Sequence, residues 1–63
     1  MIIKKTLGGT LYQNNSKTKK IWLCSSQNGT FAVWDESDKE KTLKRYNDKL
    51  QAIYYVTYLV QGE

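Results

Sequence analysis

The sequence predicts an α+β domain: an antiparallel meander of three or four strands with one carboxy-terminal helix packed across one face. Three observations predict it. Asn28-Gly29 lies between two runs rich in aromatic and branched residues, which is a strong hairpin cue. Asn47-Asp48 precedes a stretch whose apolar residues recur at helical spacing. Tyr, Trp and Phe make up 13% of only 63 residues. Each such ring buries roughly 150–250 Å², so a few can build a core in a chain this short.

Taken in order, Ile2-Ile3 is either a further strand piece or a loose arm, set off by Gly8-Gly9. Residues 9–13 read as a short strand, and the polar run 14–18 as a loop. Strands near 19–26 and 30–36 then flank the Asn-Gly tip. Both tip residues tolerate positive φ, which a two-residue type I′ turn requires. That turn pairs Ser26 with Phe31, Cys24 with Val33 and Trp22 with Asp35. Alternation puts Trp22, Cys24, Phe31 and Val33 on one face, and Ile21, Leu23, Ala32 and Trp34 on the other. Both faces are apolar, so both need covering by the chain or by a partner. The bulkier Trp22/Cys24/Phe31/Val33 face is the one expected beneath the helix. Residues 2–11, folded over the spare face, would be one cover for it.

Downstream, Ser37-Asp-Lys-Glu40 fits a capping box and would start a helix near Asp38. The preferred reading is a turn at 37–40, a short strand over 41–46, an Asn47/Asp48 cap and a helix over 48–61 stopped by Gly62. The branched and aromatic run 53–60 also permits a terminal strand. A helix starting at Asp48 gathers Ala52, Ile53, Val56, Leu59 and Val60 on one side and turns Tyr55 and Tyr58 outward.

Composition narrows the function. A single domain of 63 residues buries only ~60% of its unfolded surface. One cysteine makes no internal disulfide, and without histidine no metal cage or common acid–base group is expected. Cys24 falls mid-strand on an apolar face, as a buried inert thiol would. Asp35, Glu36, Asp38 and Glu40 form a solvated acidic turn interleaved with lysines, without calcium-loop order. The glycines match no phosphate-loop spacing. No apolar run approaches the ~18–20 residues of a membrane span, and the amino terminus lacks a secretory pattern. The expectation is a non-catalytic, cofactor-free, cytoplasmic domain.

Charge is uneven along the chain. The first twenty residues carry Lys4, Lys5, Lys17, Lys19 and Lys20 and no acid, within a net charge of +4. That is the footprint of a chain that approaches a polyanion. Lys44-Arg45-Tyr46, Asn47-Asp48 and Lys49-Leu-Gln-Ala52, following a hairpin, resemble the β-β-β-α pattern of small bacterial and mobile-element domains. The resemblance is to the arm-type DNA-binding domain of tyrosine recombinases, over about two-thirds of the chain, and it implies DNA contact through the sheet. The leading expectation is therefore a small accessory protein that binds nucleic acid, DNA ahead of RNA. Lys17, Lys19, Lys20, Lys44 and Arg45 would meet phosphates, and Trp34 would stack on a base. The alternative is a protein-interaction or inhibitor module of phage or plasmid type, acting by occlusion or as a homodimer. Its interface would use Ile21, Leu23, Trp34, Tyr55 and Tyr58.

Overall fold

The computed structural model describes residues 1–38 and 41–61. Five strands run in sequence order: β1 (Ile2–Thr6), β2 (Gly9–Gln13), β3 (Lys20–Ser25), β4 (Phe31–Asp35) and β5 (Thr42–Tyr46). They form one antiparallel meander, and α1 (Lys49–Gln61) packs on it. The α+β class stands, with five strands where three or four were expected. The extra strand is Ile2–Thr6, which pairs along β2 from Ile2–Gln13 to Thr6–Gly9. Residues 2–11 therefore extend the sheet sideways and do not fold over its spare face.

The central hairpin differs from the expected one by a single residue. Ser25 pairs with Phe31, Leu23 with Val33 and Trp22 with Trp34. The Ser26 amide donates to the Thr30 carbonyl at 2.9 Å, leaving a three-residue loop. Gly29 alone takes positive φ there (85°), after a turn in which its amide donates to the Ser26 carbonyl. This is the type I turn with a left-handed third residue that closes three-residue hairpins. Asn28 instead contributes its side-chain oxygen, which accepts from the amide and hydroxyl of Thr30 and from the Ser26 hydroxyl.

A one-residue slip moves every side chain of a strand to the other partner set. The faces are thus Ile21, Leu23, Phe31 and Val33 on one side and Trp22, Cys24, Ala32 and Trp34 on the other. The helix lies on the first set, so the expected Trp22/Cys24 placement beneath it is corrected. Tyr12, Ile21, Leu23, Val33, Ala52, Val56 and Val60 make the core. The helix packs most heavily on β3, also touches β2, β4 and β5, and does not reach β1. Ile3, on the helix side of β1, is consequently half exposed.

Asp48 caps the helix. Its carboxylate accepts from the Leu50 amide at 3.0 Å, and its carbonyl takes the first helical bond, from Ala52. That satisfies an amide otherwise left without an intrahelical partner. Residues 53–60 are helical, as the preferred reading has it. The rival start at Ser37–Glu40 runs into Lys39 and Glu40, which lie outside the described residues, as does the Gly62 stop. The Ser37 hydroxyl is engaged by Asp35 at 2.9 Å.

Candidate functional site on the open sheet face

Opposite the helix, no described element lies over the sheet. The pairings fix what this face presents. One row runs Lys4, Leu11, Trp22, Trp34 and Thr42 across all five strands. Cys24, Ala32 and Arg45 lie along the next row, and Ile2, Gln13 and Lys20 along the row on the other side. Between Val33 and Trp34 the pairing with β5 shifts by one residue. Such a bulge twists and re-aims an edge strand beside the site.

Trp22 and Trp34 stack nearly parallel, with centroids 5.5 Å apart and planes 13° apart, and both stay partly exposed. Each indole N–H is held. Trp22 Nε1 donates to Glu36 Oε1 at 3.1 Å, and the other carboxylate oxygen of Glu36 lies 3.8 Å from Lys20 Nζ. Trp34 Nε1 donates to Cys24 Sγ at 3.4 Å, and the Cys24 thiol donates to the Gly8 carbonyl at 3.1 Å. That relay requires β2 to begin against Cys24. A Cβ on Gly9, whose φ is +142°, would sit 2.6 Å from Cys24 Sγ and 2.8 Å from the Leu23 carbonyl. Cys24 thus fixes the orientation of an aromatic ring.

The expected phosphate-binding cations divide. Arg45 stands on the open face opposite Ala32 and is exposed. Lys20 is on the same face but half-buried and paired with Glu36. Lys17 and Lys19 are exposed around the β2–β3 loop, where Asn14 Oδ1 accepts the Lys19 amide. Lys44 projects to the helix side, its Nζ 5.8 Å from the centre of the Tyr46 ring. The two basic clusters do not meet at neighbouring strand ends. Lys20 stands at the start of β3, level with Glu36, whereas Arg45 is level with Cys24, about 13 Å further along at ~3.3 Å per residue. Lys4, absent from the expected set, stands in the tryptophan row. A hairpin folded at Leu7-Gly8 puts it beside Leu11, and only the uncertain status of Ile2-Ile3 hid it.

The expected protein interface is also redistributed. Ile21 and Leu23 are 2% and 6% exposed beneath the helix, so neither offers a surface. Tyr55 packs against the core and meets Tyr46 at 5.9 Å. The helix sets the reason: Ala52, Val56 and Val60 face the sheet, and Tyr55 falls about 100° from their midline, whereas Tyr54 and Tyr58 fall about 160° away. The outward pair is Tyr54 and Tyr58, not Tyr55 and Tyr58.

Among the described residues no helix is long and apolar enough to cross a membrane. No protein-family model matches the chain, and neither the curated proteins nor the solved structures include a significant match to it.

Proposed function

We propose that the chain is a small, non-catalytic nucleic-acid-binding accessory protein that lays a single strand across its open sheet face, DNA ahead of RNA. One observation carries this reading: the stacked Trp22–Trp34 pair stands on an uncovered face with Lys4 and Arg45 on the outer strands to either side. Aromatic side chains on a sheet offer π-surface to bases of any sequence, while flanking cations track the backbone. The resemblance to arm-type domains supports contact through the sheet.

Width favours a single strand over a duplex. Four strand spacings separate β1 from β5, about 19 Å at ~4.8 Å each. The major groove of B-DNA is only about 12 Å wide and admits a helix or a two-stranded ribbon. A five-stranded sheet does not seat flat in it. A flexible strand can cross the same sheet from Lys4 to Arg45 over the two rings.

Titration of short single-stranded DNA, single-stranded RNA and duplex DNA, read by tryptophan fluorescence, tests the reading. Single strands are expected to bind and quench. With two or three phosphates neutralised, affinity should fall about tenfold between roughly 50 and 200 mM salt. Replacing Lys4 and Arg45 together by alanine should weaken binding more than replacing Lys17 and Lys19 together. Absence of binding at low salt would end the proposal. Binding that the Lys4/Arg45 pair does not affect would move the site off this face.

A further inference from the structure

Among the described residues, Gln13 is the one buried side chain that is neither aliphatic nor aromatic, and it is only 5% exposed. Alternation from Leu11 places it on the open face. Ile2 and Lys20 stand directly opposite it on the flanking strands, and Trp22 stands on the diagonal. An apolar residue ordinarily fills such a position, because an amide taken out of water without a hydrogen bond is costly. The charged neighbours are already engaged. The Lys20 ammonium is turned to Glu36, and the Glu36 carboxylate is divided between Lys20 and the Trp22 indole. Among the described residues, no buried side-chain nitrogen or oxygen is sealed from water without a partner, so the Gln13 amide opens onto the face.

We infer that Gln13 is a base-reading residue, its amide pairing with the edge of an adenine stacked on Trp22. The inference rests on single-strand binding at the open face. Stacking is blind to sequence, so any preference among bases must come from a hydrogen-bonding group beside the rings. Trp34 takes one side of the Trp22 ring, and the strand order leaves the other side toward β2, where Gln13 stands. The indole N–H of Trp22 points to Glu36, whose amide bonds to the Lys20 carbonyl, so the ring reaches toward the row that holds Gln13. Diagonal neighbours on a sheet lie about 7–8 Å apart, within reach of a long side chain. A flat group lying on Trp22 therefore meets the amide at its edge.

The chemistry of the amide selects the base. Glutamine presents a donor and an acceptor side by side, which complement the N6 donor and N7 acceptor of adenine. Burial holds the amide in place before a base arrives, so little ordering remains to be done on binding. A base with the wrong edge leaves that buried amide unpaired, which is the arrangement that discriminates most strongly.

Fluorescence titration of the full chain with a short oligothymidine, and with the same strand carrying adenines at its centre, tests the inference. The wild-type chain should bind the adenine-bearing strand at least about fivefold more tightly, the discrimination that one bidentate pair supplies. Gln13→Met keeps the length of the side chain and removes both hydrogen-bonding groups. It should bring the two strands to within about twofold by weakening the adenine-bearing one alone. Its urea denaturation should be unchanged or shifted to higher denaturant, because an amide without a protein partner leaves a buried position. Equal wild-type binding of both strands, or a preference that Gln13→Met retains, would overturn the inference and leave strand binding standing. So would a loss of stability in Gln13→Met that weakens both strands alike, since the amide would then be structural. Failure of both strands to bind at low salt would remove the proposed function, and this inference with it.

Discussion

The helix-covered face of the sheet presents Tyr12, Ile21, Leu23 and Val33, whereas the open face presents Leu11, Trp22, Ala32 and Trp34. Both sets are apolar, yet they are satisfied differently. On the covered face, branched aliphatic side chains interlock with the Ala52/Val56/Val60 row and are almost wholly removed from water. On the open face the rings shield one another by stacking, and each N–H has a local acceptor in Glu36 or Cys24. Aliphatic side chains carry no polar atom and so suit a sealed interior. Tryptophan, with an apolar body and a polar tip, tolerates a half-wet surface. The difference lies in the two indoles, since the covered face also takes in the Tyr12 phenol and the open face also keeps the aliphatic Leu11 buried.

The largest effect that would break this comparison is a stability difference between the faces. Ile21→Ala should cost about 2–4 kcal/mol in urea denaturation, because it empties a sealed site under the helix. Trp34→Phe should cost well under half of that while weakening binding of single strands. Equal stability losses would mean that the open face is a second core. Next is Gly9→Ala, expected to cost about 2 kcal/mol or more, since a Cβ there meets Cys24 and the Leu23 carbonyl at positive φ. Combined with Cys24→Ala, part of that loss should return, because only the clash with the sulfur is relieved. Strict additivity in this double-mutant cycle would mean that a side chain at position 9 does not meet the Cys24 sulfur.

Asp48→Ala should cost about 1 kcal/mol, by unpairing the Leu50 amide at the helix start. Thermal unfolding monitored by circular dichroism checks it, and Asp48→Asn should recover most of the loss. The smallest effect is alkaline. Burial pushes the Tyr12 phenol above its ordinary value near 10. A raised folded-state value gives a contribution fully present below pH 10 and lost as pH rises through the folded value. Stability should therefore decline above about pH 10, and less steeply in Tyr12→Phe, which removes the titrating group from the covered face.

Strands β2 to β5 and the helix were legible because alternation, the Asn-Gly signal and the Asn47/Asp48 cap each speak locally. The helix prevailed over a terminal strand at 53–60 because Asp48 closes its first turn and the Ala52/Val56/Val60 row meets the sheet. What was not legible hung on one residue. Asn28 and Gly29 both permit positive φ, but only Gly29 uses it, while the Asn28 side chain accepts from Thr30 across a three-residue loop closed by the Ser26 amide on the Thr30 carbonyl. That slip reassigned both faces, put Trp22 and Trp34 together and sent Ile21 and Leu23 inside. Lys4 was counted in the basic amino-terminal third but left out of the phosphate-contact set for a related reason: β1 is an edge strand, three of whose five residues are polar, and its pairing to β2 depends on the turn at Leu7-Gly8.

The central claim is that Trp22 and Trp34 stand on the ligand-bearing side of the sheet and not in its core. Acrylamide quenching of tryptophan fluorescence, with and without a short single-stranded DNA at low salt, tests it most directly. Both tryptophans should be quenchable in the free protein and become protected as the strand binds, with Trp34→Phe losing part of that protection. Tryptophans shielded from acrylamide in the free protein, or equally quenchable with the strand bound, would contradict it.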